Sequence, residues 1–415
     1  MMNFKEHLTQ LKELLRPHTS FWSEEILNFY PHTLGHYPKE WLDSLDNLSK
    51  EDLWAFDNKK DYSKLPRNGL PELCQKLVEV TSRLDFKAIE EEKTPLKPKD
   101  FIKIKRKKKH EIIQIHHTLE KNLQKSEPLK NLTHFIDIGG GVGHLSRVIS
   151  SSMDKKITSI DLNKEFQETG IKRNHPHITF LNHEMKEDSF QNEDIQKAFH
   201  DQSFCLGLHT CGPLANHLIK TSARLKAKGL FNFGCCYLKC DPKKDVHLSV
   251  FDRETGPLSY TNHALTLATR SHQEISFEDF LLKERVKNYR YGLHLFLYYE
   301  LNIKGFVGVG EYPVKKYWEP FTTYARKKLN ELGLKASTYS DQTLQNFHQN
   351  PEIQKKIRRM FLANIIRWQF GKAVEHALLT DRCLYLEEKG FQVEMAEYFN
   401  SNLSPRNIGI LAQRA

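Results

Sequence analysis

Three stretches of this 415-residue sequence hold side chains that can do chemistry. The first is "FIDIGGGVGHLS", in which Asp137 is followed by Gly139, Gly141 and Gly143 at alternate positions. Glycines so placed let the backbone approach a ligand closely, and a helix starting at once behind them turns free N–H groups toward negative charge. The other two carry thiols: "LHTCGPLA", with His209 and Cys211, and "GCCYLKC", with Cys235, Cys236 and Cys240. Thiols serve packing, metal ligation or nucleophilic chemistry, and which applies depends on where the chain puts them.

The elements around these stretches are legible from their periodicity. "HFIDI" (134–138), "KITSIDL" (156–162), "HITFLN" (177–182), "SFCLGL" (203–208) and "GLFNFG" (229–234) read as strands by length and content. The segments between them suit helices; Leu214, Leu218, Ser222 and Leu225 share a face that stops at Gly229. Strands alternating with helices predict an α/β fold, a parallel sheet covered on both faces. After residue 241 the alternation is lost, and it returns with "FLANIIRWQFGKAVEHALLTDRCLYLEEKG", then "FQVEMAEYF" and "NIGILAQ" as closing strands. The expected organisation is a helical N-terminal domain (1–95), the first part of the α/β core (100–245), a mostly helical insertion (246–360) and the rest of the core (361–415).

The glycine turn has a specific reading. A dinucleotide fingerprint needs G-x-G-x-x-G, but counting from Gly139 the last position is His144, and from Gly141 it is Ser146. What remains, acidic-x-G-x-G-x-G, is the arrangement of S-adenosylmethionine (SAM) methyltransferases, whose cofactor has no pyrophosphate. Asp137 at the strand end suits the methionine ammonium group, directly or through water. Asp161, closing the second strand, suits the ribose hydroxyls, as the comparable acid does in dinucleotide folds. Adenine contacts are expected after the third strand, where His183, Glu184 and Asp188 stand, and Glu184 is the candidate carried forward.

In a doubly wound sheet, ligands sit beyond the carboxyl ends of the strands near the switch in strand order. His209 and Cys211 after the fourth strand should therefore meet Cys235 and Cys236 after the fifth. Zinc needs four suitably spaced ligands, and adjacent cysteines point in different directions from a strand, so no metal site is expected. Packing and thiolate addition to a pyrimidine ring both remain open. Enzymes making 5-methylcytosine in RNA carry a cysteine after each of these strands, with proline before the first; Thr210 stands there in this chain. The [D/N]-P-P-[Y/F] signature of exocyclic amine methylation is absent from "LHTCGPL".

Composition narrows the setting. A formal net charge of +10 makes a polyanionic partner plausible, and six basic residues lie between Lys103 and Lys109. RNA is the partner this run suggests, with protein as the second substrate class. In "EYPVKKYWEPFTTYARKK" aromatics interleave with cations as in a base-stacking platform, though a helix with an apolar face explains the pattern as well. No segment reaches the roughly 18 apolar residues of a membrane span. Seven unevenly spaced cysteines do not form a disulfide framework, and "MMNFKEHLTQLKELL" is charged where a signal peptide is apolar, so a cytoplasmic protein is expected.

Together "KKKHEI", "DIGGGVGHLSR", "LHTCGPLA", "GCCYLK", "NYRYGLHLFL", "LLTDRCLYLEEKGF" and "LSPRNIGILA", with "YPKEWLDSL" near the start, resemble the methyltransferase-like protein 25 family, which includes the ribosomal RNA adenine dimethylase domain-containing protein 1 relatives. The resemblance implies a Rossmann-like SAM-binding sheet with a helical front domain. It implies cofactor contacts at Asp137, Gly139, Gly141, Gly143 and Asp161, and motif residues near the pocket at Lys108, His110, Glu111, His209, Cys211, Cys235 and Cys236. Relatives carry an acidic or polar residue where Pro213 follows the Cys-Gly pair. The expectation is a SAM-dependent methyltransferase of a macromolecule, RNA before protein, with pyrimidine C5 methylation as its thiol-dependent variant. The alternative is a non-catalytic SAM-binding scaffold.

Overall fold

The computed structural model describes residues 2–91, 94–173, 175–200, 202–234, 236–270 and 274–414. Cys235, one of the candidate thiols, lies outside the described residues.

The chain divides into two compact units, one of residues 1–16, 79–273 and 372–415, the other of 17–78 and 274–371. These cut the chain at other places than the four segments read from the sequence. The first helix, Phe4–Leu15, belongs with the sheet, where Lys12 Nζ donates to the carbonyl of Asp252 at 3.0 Å. Among the described residues no helix is long and apolar enough to cross a membrane.

The first unit is built on seven strands: β1 (His134–Ile138), β2 (Lys156–Asp161), β3 (Ile178–Asn182), β4 (Ser203–Leu208), β5 (Gly229–Phe233), β6 (Phe391–Glu397) and β7 (Ile408–Arg414). They lie in the order β3-β2-β1-β4-β5-β7-β6. β1 to β5 pair in parallel, and β7 runs antiparallel to both neighbours. Parallel strands covered on both faces should read as nearly continuous apolar runs, and β4 and β5 are buried along their whole length. The order reverses between β1 and β4, which opens a crevice at their carboxyl ends. Asp137 pairs with Ser159 across β1 and β2, and Leu208 with Phe233 across β4 and β5, so the loops leaving each pair start level. This is the Rossmann-like α/β sheet expected.

Two helices matter for the crevice. His144–Met153 follows the glycine turn and buries Leu145, Val148 and Ile149 on one stripe. Arg106–Lys125 begins inside the lysine run and buries nine residues from His110 to Leu119, including Ile112, Ile113 and Ile115. Its apolar face joins Phe135, Phe204, Phe231 and Phe399 in the core.

The second unit is helical. Phe277–Tyr299, Phe321–Glu331, Asp341–Gln349 and Pro351–Gln369 are its longer helices, and Leu293, Phe296, Tyr324 and Leu329 lie in its core. The long helical region read near residue 361 is two helices, separated at Phe370. Gly371 opens the second of them, Gly371–Glu388.

Candidate functional site

After β1 the chain folds back over the end of β2, the N–H groups of Gly139 and Gly140 donating to Ile160 O at 2.8 and 3.3 Å. Gly143, at φ 74°, starts the helix His144–Met153 with no side-chain cap, leaving its first N–H groups for water or a ligand. Gly141, at φ +58°, is held from both sides. Its N–H donates to Asp161 Oδ2 (2.9 Å) and its carbonyl accepts from Gln167 Nε2 (2.9 Å). A Cβ at Gly141 would meet nothing nearer than Phe166, at 3.9 Å, so the turn faces open space there.

Asp161 Oδ1 also accepts from the N–H of Asn163 at 2.8 Å. A carboxylate has about four lone-pair positions, so capacity for further donors remains. Asn182, at the end of β3, donates to the carbonyls of Asp161 and Leu162 at 2.9 and 3.0 Å and braces this corner. An open glycine cradle beside a half-satisfied carboxylate fits a ligand with vicinal hydroxyls and a charged tail, as SAM has.

Asp137 stands in β1, one residue before its end. It is 2% exposed and lies beneath the turn, where its Oδ2 accepts from Ser146 Oγ at 2.6 Å. Burial pushes its carboxyl up, and the Ser146 bond and the Lys108 charge only partly oppose this. It supports the turn from below and does not reach into open space. Glu184 is exposed after β3 and ion-paired with Lys186 at 2.9 Å.

At the end of β4 the backbone enters the left-handed region at His209 (φ 63°). The turn directs the imidazole to Glu111, with Nε2 3.0 Å from the carboxylate. Glu111 is fully buried and also accepts from Ser404 Oγ at 2.8 Å. Burial works to raise its pKa, but the bonds from His209 and Ser404 and the charge of Lys108 outweigh that, and the carboxyl titrates below its usual range. Glu111 is therefore ionised at neutral pH, and it fixes the ring of His209.

The two thiol-bearing loops do meet. The N–H of Gly212 donates to the carbonyl of Cys236 at 2.8 Å, and Thr210 Oγ1 accepts from Asn232 Nδ2 of β5 at 2.9 Å. Cys211 and Cys236 are half-buried, and Arg406 places Nη1 3.0 Å from Cys236 Sγ, a contact that favours thiolate. Cys205 and Cys240 are different: burial pushes their thiols up to about 12 and about 11, and both are packing residues. Among the described residues no group of three or more His, Cys, Asp or Glu side chains is arranged to hold a metal ion.

His110 stands apart from the crevice chemistry. Its Nε2 accepts from the N–H of Asn400 at 3.0 Å while Nδ1 bonds Glu91 at 3.1 Å, so both ring nitrogens are engaged in holding the chain. Lys108, by contrast, is half-buried and close enough to bear on Asp137, Glu111 and His144 alike. Of the lysine run, Lys103, Lys105, Arg106 and Lys107 are exposed at the start of the helix that carries Lys108 and Glu111.

Sequence reasoning missed Gln167, Asn182, Ser404 and Arg406. Gln167 and Asn182 act through backbone carbonyls, which no motif marks. Ser404 and Arg406 sit in "LSPRN" between β6 and β7, a stretch whose similarity to a family was visible while its spatial address was not.

Residues 107–243 match the family model of a methyltransferase domain. The match spans β1 to β5, the glycine turn, Asp161, Glu111 and both thiol-bearing loops. A crystal structure of coclaurine N-methyltransferase bound to N-methylheliamine and SAH is similar at 11% identity over 99% of this chain and 93% of that one, with a TM-score of 0.25.

Proposed function

We propose that this protein, a SAM-dependent methyltransferase, acts on a macromolecule, RNA before protein. The observation that carries the reading is one helix, Arg106–Lys125, which presents exposed cations at its start and then Lys108 and the Glu111–His209 pair one turn further on. A polyanion held by the first would lie close to the second. The resemblance to the methyltransferase-like protein 25 family and a cytoplasmic setting belong to the same reading.

The glycine turn and Asp161 would hold the cofactor, with Asp161 accepting from its hydroxyl groups. SAM supplies an electrophilic methyl group on a sulfonium centre. The chain's own residues must then position the acceptor and remove its proton. Ionised Glu111 lies within hydrogen-bond distance of His209 Nε2 and orients the ring. His209 so oriented would take the proton that an acceptor N–H or O–H must lose, and Glu111 would stabilise the imidazolium formed. The buried base of this pair keeps the ring in one orientation, which is what general-base catalysis requires.

A second reading rests on the Arg406–Cys236 contact. A thiolate stabilised by a guanidinium can add to C6 of a pyrimidine; C5 then takes the methyl group, a base removes the C5 proton, and elimination returns the thiolate. Labelled SAM incubated with total RNA and with protein from the same lysate separates the readings. Counts in RNA with modified adenosine, guanosine or ribose support the histidine route, and 5-methylpyrimidine supports the thiol route. Counts confined to protein would remove RNA as the substrate, and no binding of SAM by calorimetry would remove the reading altogether.

A further inference from the structure

The aromatic-and-lysine stretch 311–328 is not the stacking platform it resembles: Tyr312, Tyr317, Phe321 and Tyr324 are all buried in the core of the helical unit. Trp318 is the exception. It is 64% exposed, and the guanidinium of Arg285 lies 4.9 Å from its ring centroid.

Arg285 is itself held in place. It donates through Nε to the carbonyl of Tyr317 and through Nη2 to the hydroxyl of Tyr289 at 3.1 Å, and Tyr289 in turn donates to the Glu319 carbonyl at 2.7 Å. Among the described residues it makes no ion pair with a carboxylate, whereas Lys50 and Arg358 both pair with Glu284. Trp318 and Arg285 form one wall of a groove of about 750 Å³. A connected amide network also lines the groove, with Asn288 Nδ2 donating to Gln354 Oε1 at 2.9 Å and His348 Nε2 bonded to Asn288 Oδ1 at 2.8 Å. His348 stacks on Phe321 at 3.9 Å and closes the floor.

From this geometry we infer that the groove of the helical unit is a binding site for single-stranded RNA, taking one unpaired base against Trp318 with its phosphate toward Arg285; the inference rests on RNA as the acceptor class. An exposed indole with a cation fixed beside it offers what a nucleotide needs, a π-face for the base and uncompensated positive charge for the phosphate. Lys50, Arg285 and Arg358 against Glu284 make the lining positive, which disfavours a cationic peptide. Asn288, Gln345, Gln349 and Gln354 give the lining donors and acceptors for a base edge. Trp318 lies outside the buried core, so its removal tests binding more than folding.

The test is fluorescence anisotropy of a fluorescein-labelled, mixed-sequence single-stranded RNA 15-mer, on the order of one protein binding site, with full-length wild type and the variants Trp318→Ala, Trp318→Phe and Arg285→Lys. Trp318→Ala should weaken binding about tenfold or more, Trp318→Phe should retain most of it, and all variants should melt like wild type. Wild-type affinity in both Trp318→Ala and Arg285→Lys overturns the inference, as does the absence of RNA binding by wild type or tighter binding of an aromatic-rich peptide. The outcomes separate from those of the methyl-transfer assay. Methylated RNA with an indifferent Trp318 sinks the groove alone, and groove-dependent RNA binding without methylated RNA sinks the substrate reading alone.

Discussion

The Nε2 of His209 lies 3.0 Å from the carboxylate of Glu111, across 98 positions of sequence. One partner sits on a strained loop after β4, the other on a buried helical turn, and Ser404 from the β6–β7 loop closes the arrangement at 2.8 Å. A histidine oriented by a buried, ionised carboxylate is a base whose loss can be measured.

His209→Ala should lower kcat by about 100- to 10,000-fold, the usual contribution of a positioned base, while leaving the calorimetric affinity for SAM near wild type. Glu111→Gln should also lower kcat and should shift the acid limb of the pH–rate profile. A loss confined to KM would argue that the pair only binds.

The same carboxylate makes stability depend on pH. A carboxyl held below its usual range in the folded state stabilises that state above the unfolded pKa, and the contribution is lost as pH falls through the folded value. Urea denaturation of wild type and Glu111→Gln from about pH 7 to about pH 3 should show a gap that narrows at the acid end. A constant gap would mean that Glu111 is not charged in the fold.

Asp161→Ala should weaken SAM binding by about 10- to 100-fold, the worth of hydrogen bonds to a charged group, and should free the Gly141 N–H it now holds at 2.9 Å. Isothermal calorimetry reads the first effect, and faster amide exchange at Gly141 reads the second. Asp137→Asn should act mainly on stability, because its carboxyl is buried under the turn.

Gly140→Ala tests the turn from below. Its Cβ would fall 2.3 Å from Ser159 Oγ and 3.0 Å from Asp137 Oδ2, an overpacking that costs about 1–3 kcal/mol. Ser159 Oγ is buried and has no hydrogen-bond partner among the described residues, so Ser159→Ala should be nearly neutral alone and should recover part of the loss in the double variant. Additive effects by denaturant titration would show that the clash relaxes elsewhere.

Alkylation with iodoacetamide near neutral pH should modify Cys236 well before Cys205 or Cys240, whose thiols burial holds at about 12 and about 11. Arg406→Ala should slow the reaction of Cys236, since it removes the donor 3.0 Å from the sulfur. An unchanged rate, followed by mass spectrometry of the peptide, would leave the thiol route without its support.

What the sequence by itself determined is what short-range periodicity encodes. β1 and β4 begin and end where "HFIDI" and "SFCLGL" do, and the glycine turn with Asp161 was legible because backbone freedom and a strand-end acid are local properties. Long-range pairing is another matter. No spacing announces that Ser404 will bond Glu111 across 293 positions, that Arg406 will reach Cys236 across 170, or that Lys12 will anchor the first helix to Asp252 across 240. The first two of these depend on the loops after β4 and β5 and before β7 lying at one end of the sheet, and only the order and direction of the strands bring them there. Burial decided the rest. It set Asp137 beneath the glycine turn, engaged His110 with Glu91 and Asn400, and left Trp318 outside a core that took in the aromatics around it.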